Sequence, residues 1–256
     1  AAEAVHHADT ASRFAGISAQ GRLDDWAALR AQKDELVTSL RQAKYLDLLP
    51  AYNSVAYLEG RASIGNGGVV VDDRHIKADR VIIATGSHEF LPPIPGIQDI
   101  DWLSSTTAFE MDALPRSMIV LGGGYIGCEL AQMFGRLGVK VTIIFRSRLV
   151  PEAEPEISAA LAGYFTDEGI IVQQVDAYEQ VKTVSGGVAL SVQTEGEIQT
   201  LEAEKLLLTA GRSPNTEGLA LAEAGIDCNK RGGIKVDGQM RTTKDGVYAA
   251  GDVTGR

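Results

Sequence analysis

Gly122-Gly123-Gly124-Tyr125-Ile126-Gly127 is the stretch best equipped for chemistry. It follows the apolar run Ser117 to Leu121 and precedes the amphipathic segment Leu130 to Leu137. Strand, G-x-G-x-x-G turn and helix is the order of a dinucleotide-binding fingerprint. In that reading Gly122 allows the tight turn, Gly124 lets backbone approach a pyrophosphate, and Gly127 lets the helix pack close to the strand. The helix amides and the positive end of its dipole then hold the phosphates. A bare glycine motif is equally a tight βα turn. A second strand, Lys140 to Phe145, after Gly138 completes the context that favours the dinucleotide.

The end of that second strand bears on which dinucleotide. An NAD site places an acid about 20 residues past the fingerprint, to bond the ribose 2′-hydroxyl. Here the position is Phe145, followed by Arg146-Ser147-Arg148. Without a carboxylate, and with two guanidinium groups able to grip a 2′-phosphate in a bidentate way, the site is expected to take NADPH over NADH. The alternative for Arg146 and Arg148 is solvated loop surface. Cys128 and Cys228 lie 100 positions apart and form no metal or redox motif. The adjacent His6 and His7 point to different faces of a helix and read as surface. No catalytic group and no metal site is expected within the chain.

The elements that must position these residues are legible in order. A helix is expected from about Asp24 to Leu48, capped by Asp24 or Asp25 and stopped before Pro50. Ser54 to Ile64 alternates apolar and polar residues as a strand does, and Asn66-Gly67-Gly68 is a hairpin signal. Val69 to Asp72, Arg74 to Lys77 and Arg80 to Ala84 supply further strands. The proline-rich stretch Leu91 to Gly96 is a connector, because proline lacks a backbone donor. After the fingerprint come a helix from Glu154 to Glu168, a strand from Ile170 to Gln174, and an antiparallel meander of Tyr178–Val184, Val188–Thr194 and Ile198–Ala203. Lys205 to Thr209 returns as a buried strand.

Composition limits the partners. The chain has 256 residues, 45% of them hydrophobic, enough to build real cores, and a formal net charge of −10. That charge argues against nucleic acid or an anionic membrane as a partner. No apolar run reaches the ~18 residues of a membrane span. The opening residues carry no secretory signal, and together with scarce cysteines this fits a reducing cytoplasm.

One phrase occurs twice. Arg80-Val81-Ile82-Ile83-Ala84-Thr85-Gly86 and Lys205-Leu206-Leu207-Leu208-Thr209-Ala210-Gly211 both follow a meander and end in a glycine turn. Two related nucleotide-binding halves would produce that echo. The first half has no fingerprint of its own, and the chain opens in a helical pattern without Met. The expectation is therefore a piece of a longer product, with that fingerprint upstream of Ala1.

Five stretches in order complete a resemblance: Ala84-Thr85-Gly86-Ser87, Pro95-Gly96, Gly122 to Ala131, Ala210-Gly211-Arg212-Ser213-Pro214-Asn215, and Tyr248-Ala249-Ala250-Gly251-Asp252. Together they resemble the flavin- and nicotinamide-dependent disulfide reductases, over essentially the whole chain. The wording of Gln42 to Tyr45, Glu129 to Phe134 and Tyr248 to Thr254 is most similar to the mercuric reductase branch, with dihydrolipoamide dehydrogenase and glutathione reductase close by. The implied fold is α/β: a Rossmann-like NAD(P)-binding domain, made of a parallel sheet plus the three-stranded meander, joined to part of a related FAD-binding domain. The implied boundaries are 1–114 for the incomplete FAD-binding domain, 115–242 for the NAD(P)-binding domain, and 243–256 for a return segment of the first.

The resemblance implies an electron relay from NADPH through FAD to a cysteine pair whose thiolates act on substrate, Hg(II) in the mercuric branch. By position, Asp252 would bond the FAD ribityl chain, Ala62 would lie by the adenine, and Thr85 and Gly86 would line the FAD cleft. Glu129 would orient the nicotinamide, although an exposed first-turn glutamate is also favoured by the helix dipole alone. Tyr125 would cover the nicotinamide pocket. Gly122, Gly123, Gly124, Ile126, Gly127, Arg146, Arg148 and Gly211 complete the expected cofactor contacts. The redox cysteines are expected upstream of Ala1, and the domain carrying an acid/base histidine and a homodimer interface beyond Arg256. The chain alone is then not expected to turn over. A non-catalytic NADPH-binding module is the reading from another class.

Overall fold

The computed structural model describes residues 1–255. The chain opens with helices α1 (Ala2–Asp9) and α2 (Trp26–Arg41). The Asp25 carboxylate accepts the Ala28 amide at 3.0 Å, supplying the expected cap for α2. At its far end the helix widens into a π turn, Gln42–Leu46. The strands β1 (Ala62–Gly65), β2 (Gly68–Val71), β3 (Arg74–Lys77), β4 (Val81–Ile83), β5 (Ser87–Glu89) and β6 (Trp102–Leu103) follow. Next come β7 (Ser117–Leu121), α3 (Tyr125–Arg136), β8 (Lys140–Phe145), α4 (Pro155–Asp167) and β9 (Ile171–Gln174). The meander is β10 (Ala177–Val184), β11 (Gly187–Thr194) and β12 (Glu197–Ala203). Three strands remain: β13 (Lys205–Leu208), β14 (Arg212–Pro214) and β15 (Val247–Ala249).

The chain divides into two compact units, Ala1–Leu36 with Glu89–Gly211, and Val37–His88 with Arg212–Arg256. In the first, a parallel sheet runs in the order β6-β13-β7-β8-β9. Its residues alternate between two cores, as the period of a strand requires. Met118, Val120, Val141, Ile143 and Leu207 lie under α3 and α4 in one cluster; Ile119, Leu121, Ile144, Leu206 and Leu208 pack with the meander residues Val181, Leu190 and Val192 in the other. Both faces are thus covered, the condition a parallel sheet must meet. Trp26 joins the helix-side core, its ring 6.4 Å from that of Phe134 and its Nε1–H donating to the Met111 carbonyl.

In the second unit β1, β2 and β3 form an antiparallel sheet whose first turn is Asn66-Gly67, and β4 pairs with β15 in parallel. Ile64, Ile83, Leu219, Ile226, Ile234, Val247 and Val253 form its core.

One expectation changes and one short strand is new. Only Ala62–Gly65 of the alternating stretch 54–64 is strand. The partner β2 is four residues long and ends where Asp72 takes a positive φ of 51°. Residues before Arg61 therefore have no ladder to join, and Tyr52 to Gly60 is exposed and irregular. The pair Trp102-Leu103, between the proline-rich connector and Pro115, adds to the parallel sheet opposite Leu206 and Leu207. With α1 and Trp26 it belongs to the compact unit of the fingerprint. Among the described residues, no helix is long and apolar enough to cross a membrane.

Candidate functional site: a glycine cradle and its cleft

β7 ends against the neighbouring strands and has to reverse within one residue. Gly122 does so at φ +125°, and a Cβ there would stand 2.6 Å from the Thr209 carbonyl carbon. The Thr209 hydroxyl secures the turn by reaching the carbonyls of Leu121 and Gly122, each at 3.1 Å. Gly127 packs still closer: its Cβ would meet the Gly122 carbonyl and lie 2.7 Å from Thr209 Oγ1. Gly124, the N-cap of α3, has open space where its Cβ would be. The first helical bond runs from the Cys128 amide to the Gly124 carbonyl at 2.9 Å. The amides of Gly124, Tyr125, Ile126 and Gly127 consequently have no backbone partner among the described residues. All three glycine positions behave as a phosphate cradle needs: a turn, a close packing point and an open approach.

A cleft of about 900 Å³ opens beside this cradle, bounded by Gly122–Gly124, the segment Phe145–Arg148, Tyr178 and Thr209–Gly211. Its size, and the glycine turn Gly122–Gly124 in its lining, suit a dinucleotide. Arg146 and Arg148 are both at its edge but are placed differently. Arg146 is exposed, and its guanidinium makes no hydrogen bond or ion pair among the described residues. Arg148 is half-buried: its Nη2 donates to the carbonyls of Pro151 and Ala153, each at 2.7 Å, while its Nε–H is buried without a partner. Tyr178, Pro151, Glu152 and Asp176 also line the cleft, though no sequence motif singles them out. Burial pushes the Tyr178 phenol up to about 12, with Arg146 acting against the shift.

The other expected residues fall into two places. Tyr125, Ile126 and Glu129 are exposed on the first turns of α3, next to the cradle. Gly123 is buried against Phe145. Gly211 ends the cleft at φ +133°. In the second unit the Thr85-Gly86 turn is tied to Asn215, whose side chain donates to the Thr85 carbonyl at 2.8 Å and whose amide donates to the Gly86 carbonyl. The Ser87 hydroxyl donates to Asp252 Oδ2 at 2.7 Å and accepts from Arg212 Nε at 2.7 Å, so Asp252 is tied to the residue that follows Gly86. Ala62 opens β1 opposite Val71, among the β1–β3 residues.

Burial pushes the Cys128 thiol up to about 11, and its Sγ–H contacts the Gly123 carbonyl at 3.5 Å. Burial also raises Cys228. Both are free thiols with the character of packing residues rather than nucleophiles. Among the described residues, no group of three or more His, Cys, Asp or Glu is placed to hold a metal ion.

Comparison with known proteins gives a consistent result. The family model described as pyridine nucleotide-disulphide oxidoreductase matches residues 2–256. A mercuric reductase from Streptomyces lividans is 39% identical over 99% of this chain and 55% of its own length. One from Staphylococcus aureus is 37% identical over 94% of this chain and 44% of its own. Among solved structures, the HOCl-induced flavoprotein disulfide reductase RclA from Escherichia coli is similar with a TM-score of 0.81 and 33% identity, covering 90% of this chain and 53% of that one. The chain spans about half the length of these relatives.

Proposed function

This chain belongs to the pyridine nucleotide-disulphide oxidoreductase family, and from that premise we propose that it is the NADPH-binding portion, with part of the FAD-binding portion, of an enzyme that reduces Hg(II) to Hg(0). The observation that carries the cofactor reading is the cradle: outward amides at the start of α3 and an open face at Gly124, beside a cleft with Arg146 at its edge. The names of the curated relatives favour mercury as substrate. We assign 115–242 to the nicotinamide nucleotide, and 1–114 with 243–256 to the flavin.

NADPH, when bound, supplies hydride to the flavin. The residues of this chain bind and orient it. The amides of Gly124 to Gly127 would hold the pyrophosphate, and Arg146 the 2′-phosphate. Tyr125 and Glu129, on the exposed first turns of α3, would lie by the nicotinamide. Thr85, Gly86 and Asp252 offer a threonine, a bare turn and a carboxylate to the flavin's sugar chain, with Ala62 by its adenine. The substrate-reducing cysteine pair, the homodimer contacts and a cytoplasmic setting belong to the proposed full-length enzyme. The 256-residue chain is expected to bind NADPH and to hold little FAD.

Calorimetric titration with NADPH and NADH tests the cofactor assignment. The expected result is binding of NADPH at least about tenfold tighter, with the preference lost in Arg146→Ala. Equal affinity for the two nucleotides would overturn it. The substrate assignment is tested in the full-length protein by NADPH oxidation with Hg(II), oxidised glutathione or lipoamide. Turnover with a disulfide but not with Hg(II) would move the assignment to a glutathione or lipoamide reductase.

A further inference from the structure

Arg148 lines the proposed cofactor cleft, yet its Nη2 is spent on its own loop. The segment from Arg146 to Ala153 folds back on itself, with the Ala153 amide donating to the Val150 carbonyl at 2.8 Å. Arg148 Nη2 gathers the carbonyls of Pro151 and Ala153. Between Arg148 and Pro151, Val150 sits at φ +38°, a conformation that a β-branched residue adopts only when its surroundings impose it. The loop is anchored elsewhere as well, by the buried side chains of Leu149 and Val150 and by the Ser158 hydroxyl, which donates to the Leu149 carbonyl at 2.6 Å.

The strained residue has a destination. Its amide donates to the Gly123 carbonyl at 2.6 Å, inside the fingerprint turn. The peptide bond is trans, so a Gly123 carbonyl drawn toward Val150 leaves the Gly124 N–H pointing the opposite way. That N–H stands at the head of the row of free amides at the start of α3.

We propose that Arg148 is a positioning residue: by bridging the Pro151 and Ala153 carbonyls it holds Val150 in the left-handed region, and the Val150 amide in turn orients the Gly123–Gly124 peptide so that its N–H serves the pyrophosphate. The inference rests on the dinucleotide reading of the cleft. It divides the arginine pair, with Arg146 discriminating between the two nucleotides and Arg148 supporting the feature they share. Loss of the Arg148 donors therefore weakens NADPH and NADH together, whereas loss of Arg146 weakens NADPH alone.

The test compares Arg148→Met, which keeps an aliphatic stem but no donor, with wild type in calorimetric titrations of both nucleotides. Both affinities are expected to fall by about tenfold with their ratio preserved, the effect of releasing one strained backbone position. Arg148→Gln, which retains one donor group, should show a smaller loss of the same ratio-preserving kind and serves if Arg148→Met does not fold. Hydrogen exchange at the Val150 amide, read by NMR without nucleotide, should quicken in both Arg148 variants. A selective loss of NADPH affinity, or unchanged Val150 exchange, would each overturn the assignment. Faster Val150 exchange in a protein whose wild type binds neither nucleotide would instead sink the dinucleotide reading and leave the loop mechanics standing.

Discussion

Gly127 has little latitude. Its Cβ would fall on the Gly122 carbonyl and 2.7 Å from Thr209 Oγ1, both parts of the turn it is meant to support. Gly127→Ala is expected to cost about 3 kcal/mol of stability, read from urea midpoints, and to remove NADPH binding, because backbone rather than a flexible side chain would have to yield. Cys128 is constrained in a different way. With its thiol pushed up to about 11 by burial, only about one part in a thousand is thiolate at pH 8. Ellman's reagent at pH 8 should therefore titrate the half-buried Cys228 first, slowed by the burial that raises it too, and Cys128 only after denaturation. Two fast thiols would contradict the packing described for Cys128.

At the scale of elements, one ion pair joins the ends of the two helices that cover the sheet. Arg136, in the last turn of α3, donates from Nε and Nη2 to the two Glu168 oxygens at the end of α4, each at 2.7 Å, and both side chains are about 15% exposed. Gln132 adds a third donor, and Glu3 of α1 also pairs with Arg136. The Arg136 hydrogen bonds hold the Glu168 carboxyl below its ordinary value, against the opposing effect of burial. A carboxylate with a lowered folded pKa lends stability that is present above the unfolded value, about 4.3, and is lost as pH falls through the folded one. Glu168→Gln is expected to destabilise by about 2 kcal/mol at pH 7. The difference from wild type should shrink as the pH is brought below about 4. A gap that is independent of pH would mean that packing, not charge, accounts for the effect.

For the whole molecule, stability is unevenly distributed. The parallel sheet has buried apolar residues on both faces, whereas Tyr52 to Gly60 has no regular structure and every residue in it is exposed. Limited proteolysis should cut first in that stretch, and the fragment from Glu89 to Gly211 should survive longest. Early cleavage inside the meander would contradict this order.

Local signals were enough for much of the chain. The G-x-G-x-x-G turn between an apolar run and an amphipathic one specified β7, α3 and their junction, because strand period, glycine geometry and helix period agree there. The meander was legible for the same reason: Gly186-Gly187 and Glu195-Gly196 punctuate strands with period-two patterns. The alternation of 54–64 misled, since a strand exists only where a partner's length allows pairing, and β2 stops at Val71. Trp102-Leu103 carries too short a pattern to announce a strand and becomes one by lying against β13.

In the site, residue types and spacing by themselves determined the cradle, the absence of an acid after β8 and the presence of two arginines there. Only the tertiary structure decided that Arg148 turns inward to its own loop, that Val150 is held in a left-handed conformation, and that the Val150 amide reaches Gly123. The physical reason is that those facts depend on where three carbonyls end up once α4 and β8 have packed. A carbonyl's direction is a property of the folded backbone, and the identity of its residue does not encode it.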